Sequence, residues 1–233
     1  MSINFPSIIL FEDNHLLIVN KPSGLASQGD NTGDIHLLDV AKAYIKKEYN
    51  KPGEVFCGLI HRIDRPVSGI VVLAKTSKAL ARMNEIFKER AVQKTYWAVV
   101  KNKPNPEEAK LVHWLWRNTK NNVTKAFEKE GKDTQRAELD YKLLDISNGY
   151  CLLQVKPVTG RTHQIRSQLS VIKSPIMGDV KYGFPEPNPD RSIHLHARSL
   201  TFAHPTKGEP MEIVAPVPNE AIWKNFEQRQ NPK

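Results

Sequence analysis

Residues 61–76 read HRIDRPVSGIVVLAKT, a charged segment that runs without a break into an apolar one. The second half, residues 69–75, is a β-branched run behind a glycine, with the length and composition of a buried strand. The first half sets a carboxylate, Asp64, between the guanidinium groups of Arg62 and Arg65, just before the chain enters a core. A carboxylate at the rim of a sheet needs partners. From these residues alone, Asp64 can cap its loop through backbone N–H groups, pair with either arginine, or act as a reactive group.

Outward from this stretch, short apolar runs at 8–11 and 16–19 flank Glu12-Asp13-Asn14 and predict a hairpin. Lys21-Pro22-Ser23-Gly24 turns the chain. Residues 37–49 place Leu37, Val40, Ala41, Tyr44 and Ile45 on one helical face. Ser77 is the expected N-cap of a helix reaching residue 90, with Leu80, Met83, Ile86 and Phe87 inward. Strands are predicted at 96–100 and 111–116, followed by a Lys- and Asn-rich surface excursion over 117–133. Strands at 137–146 and 150–156 flank the turn Ser147-Asn148-Gly149. A helix is predicted over 162–172, strands over 193–203 and 211–214, and a closing helix over 218–228. Hairpin-linked strands with interspersed helices predict an α+β fold built on a mainly antiparallel sheet. No linker or internal repeat divides the chain, so one domain over residues 1–233 is expected.

The chain carries 34 Lys and Arg against 25 Asp and Glu, a net charge of +9 over 233 residues. That surplus points to a polyanionic partner, nucleic acid before an anionic membrane. No apolar run approaches the roughly 18 residues of a membrane span, and the N-terminus has no basic and apolar leader pattern. Cys57 and Cys151 form neither a disulfide framework nor a CxxC knuckle, so a cytoplasmic location is expected.

A second segment, VTGRTHQIR at 158–166, has Gly160 for a tight turn, then Arg161, then His163 and Arg166 at helical spacing. By itself it also fits an ordinary basic helix on a solvated face. His194 and His196 put two imidazoles on one face of a strand, without a third metal ligand at a standard spacing. Ser68 has Pro66 and Ile70 where a nucleophile elbow needs glycines. There is no GxxxxGK[ST] phosphate loop, and HRIDRPVSG supplies one carboxylate where a glycosidase needs two.

These segments together resemble the RluA-type pseudouridine synthases. The likeness runs through NKPSGL (20–25), HRIDRPVSGIVVLAK (61–75), K-T-Y (94–96), TGRTHQIR (159–166), PIMGDVKYG (175–183) and LHARSLTFAHP (195–205). Ile63 and Val67 stand where the family usually has Leu and Thr; the second change replaces a hydroxyl with a methyl. The resemblance implies the pseudouridine synthase fold in one catalytic domain, without a separate N-terminal S4-like module. It implies isomerisation of a uridine in rRNA or tRNA by a cytoplasmic monomer that needs no metal or organic cofactor. By resemblance Asp64 is the catalytic carboxylate and Arg166 its partner cation. Tyr96 matches the tyrosine of the family's K-x-Y segment, which implies a ring that can stack on the uracil and a hydroxyl that can handle its C5 proton. Arg62 enters the space that the extruded nucleotide leaves. Lys21, Arg161 and Lys181 are the expected phosphate contacts. Two other readings stay compatible with the residues: an RNA-binding protein without catalysis, and a nucleoside hydrolase in which water replaces the returning base.

Overall fold

The computed structural model describes residues 4–29 and 33–230. Its strands, in chain order, are β1 (Ile9–Glu12), β2 (Leu16–Lys21), β3 (Gly58–Leu59), β4 (Ser68–Ala74), β5 (Gln93–Val100) and β6 (Glu108–Asn118). They continue with β7 (Val123–Phe127), β8 (Gln135–Ser147), β9 (Tyr150–Pro157), β10 (Leu195–Ala203) and β11 (Pro210–Val214). The α-helices are α1 (Leu37–Glu48), α2 (Ser77–Lys88), α3 (Gln164–Val171) and α4 (Ala221–Gln230).

The chain divides into two compact units. One comprises Met1–Gln93 and Ala197–Pro216, the other Lys94–His196 and Val217–Lys233. Two of the three boundaries fall inside strands, between the first two residues of β5 and within β10. A division made inside strands leaves no Pro- or Gly-rich linker for a sequence reading to find.

In the first unit, β2 pairs antiparallel with β1 on one side and with β4 on the other, from Leu16 opposite Ala74 to Lys21 opposite Gly69. β3 and β10 also border β4, and β11 pairs antiparallel with β10. All seven residues of β4 are buried. Burial on both faces is why its sequence is an unbroken apolar run rather than an alternation. Leu16, Ile18, Ile70, Val72, Met83 and Phe202 form the centre of this core. The cap of α2 is Thr76, one residue before the expected Ser77; its hydroxyl accepts the Ala79 N–H at 3.2 Å. Gly69 sits at φ +116°, and a Cβ there would lie 2.5 Å from the Ala197 nitrogen and 2.8 Å from its carbonyl carbon. Only glycine allows β10 so close to β4 at this point.

Lys21 ends β2 with no exposed surface. Its Nζ donates to the carbonyls of Pro22 and Leu25, each at 2.8 Å, and of Arg65 at 3.3 Å. Three acceptors match the three N–H bonds of an ammonium. Burial pulls the Lys21 pKa down to about 7; the Asp64 carboxylate opposes that shift and Arg65 adds to it.

The second unit holds an antiparallel sheet ordered β5-β9-β8-β6-β7. The β8–β9 hairpin turns at Asn148 and Gly149, with φ of 52° and 76°, the left-handed pair that such turns require. β7 corrects the reading of 117–133 as a pure surface excursion. Its five residues pair with β6 from Asn118 opposite Val123 to Trp114 opposite Phe127. Val-Thr-Lys-Ala-Phe is short and half polar, as an edge strand can be, so it lacks the apolar signal of an inner strand. α3 is shorter than the expected 162–172 because His163 takes a left-handed φ of 53° and the helix starts after it. Gln164 through Leu169 are all buried, so α3 is not the solvated basic helix that its polarity allowed. Trp97, Val99, Leu152, Trp223 and Phe226 centre this unit's core. The rings of His194 and His196 pack on Trp223, at 5.5 and 5.9 Å between centroids. Among the described residues, no helix is long and apolar enough to cross a membrane.

Two stability measurements check these contacts. Gly69→Ala adds a Cβ against backbone and a side chain at positive φ, so unfolding free energy should fall by about 2–4 kcal/mol in denaturant titration. Gly58→Ala meets only the Leu80 side chain, nearest atom 2.7 Å, which can rotate, and should cost clearly less. Lys21→Met should change the pH dependence of stability. The unfolded chain keeps the lysine proton up to about 10.5 and the folded chain up to about 7. In that window the unfolded state binds more protons, so wild-type stability rises with pH relative to the variant. Parallel stability curves for the two proteins between pH 7 and 10 would contradict the burial of a titrating amine.

Candidate active site

The loop between β3 and β4 is anchored at its start by His61. Its Nε2 accepts the Val72 N–H at 3.2 Å, and its ring stacks on Phe87 at 5.0 Å. Arg62 then points into solvent, Ile63 is buried and Asp64 is half-buried. The Val67 N–H donates to the Asp64 carbonyl at 3.0 Å, which closes the turn. Val67 itself is 2% exposed. Its methyl groups therefore sit in the core, and the turn closes through backbone without a hydroxyl at this position.

The loop of residues 21–27 runs alongside. The Arg65 carbonyl accepts the Gly24 N–H at 2.8 Å as well as the Lys21 ammonium. Arg65 Nη1 pairs with Asp34 Oδ2 at 2.6 Å. This overturns the expectation for Lys21. A fully buried ammonium spent on three carbonyls does not meet a phosphate; it grips the backbone next to Asp64. The NKPSGL segment that suggested an RNA contact marks a loop-to-loop fastening instead.

In the second unit, α3 carries Arg166, which is 5% exposed. Its Nε and Nη2 donate to the two oxygens of Asp179 at 2.7 and 2.8 Å. The guanidinium lies 4.8 Å from the centre of the Tyr182 ring, a cation–π arrangement. The Tyr182 hydroxyl accepts the Thr124 N–H at 2.9 Å and lies 2.7 Å from His163 Nδ1. Burial pushes the Tyr182 pKa up, against the Thr124 bond and the Arg166 charge that lower it. Gln164 braces the turn before α3, accepting from the Thr159 hydroxyl at 2.7 Å and from the Arg161 N–H at 3.0 Å. The outcome is a guanidinium fixed in direction by a bidentate partner and an aromatic floor.

Tyr96 is half-buried on β5, opposite Val155 of β9. Arg161 and Lys181 are exposed. Each makes one long bond to a carbonyl, Arg161 Nε to Arg136 at 3.4 Å and Lys181 Nζ to Asn122 at 3.5 Å. The expected residues thus fall into two groups. Lys21, Arg62 and Asp64 lie on adjoining loops of one unit, while Tyr96, Arg161, Arg166 and Lys181 belong to the other.

Asp179 and Tyr182 were not singled out by sequence reasoning, although both stand inside PIMGDVKYG. Their signal is weak because Asp179 is thirteen positions from Arg166 and no local periodicity links them. Among the described residues, no group of three or more His, Cys, Asp or Glu is placed to hold a metal ion.

A model of the RNA pseudouridylate synthase family matches residues 15–171, a span that holds Asp64, Tyr96 and Arg166. The ribosomal large subunit pseudouridine synthase C of Buchnera aphidicola subsp. Schizaphis graminum is 33% identical over 241 residues, covering 96% of this chain and 70% of that relative. The protein of the same name from Vibrio vulnificus is 34% identical over 217 residues, covering 90% of this chain and 65% of its own length. The chain therefore spans about two thirds of these curated relatives. Among solved structures, Human RNA Pseudouridylate Synthase Domain Containing 4 matches with a TM-score of 0.80 at 25% identity, over 97% of this chain and 94% of that one. Human RNA Pseudouridylate Synthase Domain Containing 1 shares the fold, with a TM-score of 0.70 at 23% identity over 97% of this chain and 96% of that one. With its α+β pseudouridine synthase fold and a family match that reaches across both units, the chain belongs to the RNA pseudouridylate synthase family.

Proposed function

We propose that this protein isomerises uridine to pseudouridine in RNA, with Asp64 as the catalytic carboxylate. The observation that carries the reading is the 61–67 loop. It lies within the family match, and it holds a half-buried aspartate between neighbours whose backbone is hydrogen-bonded in place. The reaction breaks the bond from uracil N1 to the sugar C1′ and forms one from C5 to the same carbon. C5 loses a proton and N1 gains one, so atoms balance without an oxidant or reductant. Leaving group and nucleophile are the same base, which is why a single carboxylate serves. Asp64 acts ionised, whether by attack at C1′ or by removal of a sugar proton.

Supporting roles follow from residue chemistry. Arg166 supplies a buried, direction-fixed positive charge. Tyr96 offers a ring for stacking and a hydroxyl for proton transfer at C5. Arg62 is exposed two residues from Asp64, suited to the gap that an extruded nucleotide leaves. Arg161 and Lys181, exposed and basic, suit backbone phosphates. The names of the relatives, ribosomal large subunit pseudouridine synthase C, favour large-subunit rRNA over tRNA as the substrate. The enzyme acts in the cytoplasm as a monomer, without a metal or organic cofactor.

Mapping pseudouridines across total RNA, with and without the protein, tests the substrate. The products separate the alternatives: pseudouridine, unchanged RNA from a binding protein, or free uracil from a hydrolase. Asp64→Asn should abolish turnover while RNA affinity stays within about threefold of wild type, because the charge acts in chemistry rather than docking. Near-normal pseudouridine formation by this variant would remove Asp64 from the mechanism.

Arg62→Ala discriminates insertion from simple phosphate contact. Insertion offsets the unstacking cost of a flipped base, a few kcal/mol in a structured RNA and little in a single strand. Single-turnover rates at matched salt should therefore fall much more on a folded RNA than on a short unstructured strand with the same uridine. Equal slowing on both would assign Arg62 to phosphate binding.

A further inference from the structure

The two residues flanking Asp64 are both held through their backbone, and by the same neighbouring loop. Behind it, the Arg65 carbonyl receives the Lys21 ammonium and the Gly24 N–H. Ahead of it, Ser27 binds both polar backbone groups of Ile63. Its Oγ donates to the Ile63 carbonyl at 2.9 Å and accepts the Ile63 N–H at 3.4 Å. Ser27 is 4% exposed and Ile63 7%, so water does not substitute for these bonds. One hydroxyl that binds both polar groups of a single residue fixes the direction of that segment, and Asp64 Cα lies in the peptide plane that the Ile63 carbonyl begins. The Ser27 loop is tied down in its turn, since the Ala26 carbonyl accepts the Leu37 N–H at the start of α1, at 2.8 Å. The grip therefore leads from a helix end to the backbone on either side of Asp64.

We propose that Ser27 is a positioning residue for the reaction, aiming the Asp64 carboxylate through the backbone of Ile63. Lys21 and Gly24 supply the matching hold on the far side. Ser27 Oγ is engaged by the Ile63 backbone, and its effect is on geometry. A catalytic group displaced by about 1 Å can lose on the order of 100-fold in rate, which is the scale of the expected effect. The inference rests on Asp64 being the catalytic carboxylate.

The test compares Ser27→Ala, Ser27→Thr and Ser27→Val in single-turnover assays on the RNA that the wild-type enzyme modifies, with RNA affinity and melting measured for each. Ser27→Ala should lower the rate about 10- to 100-fold per folded molecule while RNA affinity stays within about twofold. Thr and Val are nearly isosteric, so they separate the hydroxyl from the space it occupies even if Ala unfolds the loop. Ser27→Thr should recover most of the rate and Ser27→Val should not. A wild-type rate for Ser27→Ala, or equal rates for the Thr and Val variants, overturns the proposal. So does a loss that only follows the fraction unfolded. Asp64→Asn run in parallel keeps the two readings apart. If it is inactive while the Ser27 variants are normal, the positioning role alone fails; if it is active, the role of Asp64 fails.

Discussion

A backbone carbonyl, that of Arg65, is the point on which the first unit's functional loops depend. Two donors converge on it, the Lys21 ammonium and the Gly24 N–H. Burying an ammonium is costly unless its hydrogen bonds are satisfied. Here all three N–H bonds have carbonyl acceptors, and the Asp64 charge lies close enough to favour the proton. The cost of burial, which still pulls the Lys21 pKa down to about 7, is reduced only when the 21–27 loop and the 61–67 loop are both in place. That mutual requirement makes the arrangement cooperative: neither loop can shift without leaving a buried polar group unmet.

The second unit follows the same rule with a different group. Arg166 is buried on α3, a helix with every residue from Gln164 to Leu169 inside. Its charge is tolerable because Asp179 meets it bidentately and Tyr182 lies beneath it. Tyr182 also reaches the Thr124 N–H on β7, so a short strand, a helix and a turn meet at one phenol. Removing one member would strand the others in low dielectric. Both units therefore hold a cation inside by giving it fixed partners, and both place that cation in segments that the family resemblance had picked out.

Much of this was legible beforehand, for reasons tied to pattern. β4 reads as an inner strand because both its faces are buried. α1 and the β8–β9 hairpin announce themselves through helical periodicity and an Asn-Gly turn. Asp64 drew notice as a carboxylate between two arginines at the mouth of an apolar run, and only the family resemblance gave it a catalytic role. β7 was missed because an edge strand carries little apolar signal. Lys21 was misread because a lysine in a loop motif is ordinarily solvated, and nothing local tells that three carbonyls will close around it.

By itself, then, the sequence determined the kinds of element, the family to which their order belongs, and the one carboxylate around which the chemistry is proposed. Those are properties of residue type and short-range spacing, and they survive without coordinates. Only the tertiary structure decided which polar side chains face inward and what they hold. Ser27 meets Ile63 across a separation of 36 residues, Lys21 meets Arg65 across 44, and Tyr182 meets Thr124 across 58. Such pairs have no period and no fixed spacing. They are set by how loops and helices come to rest against a sheet, which is a consequence of packing the whole core rather than of any stretch within it.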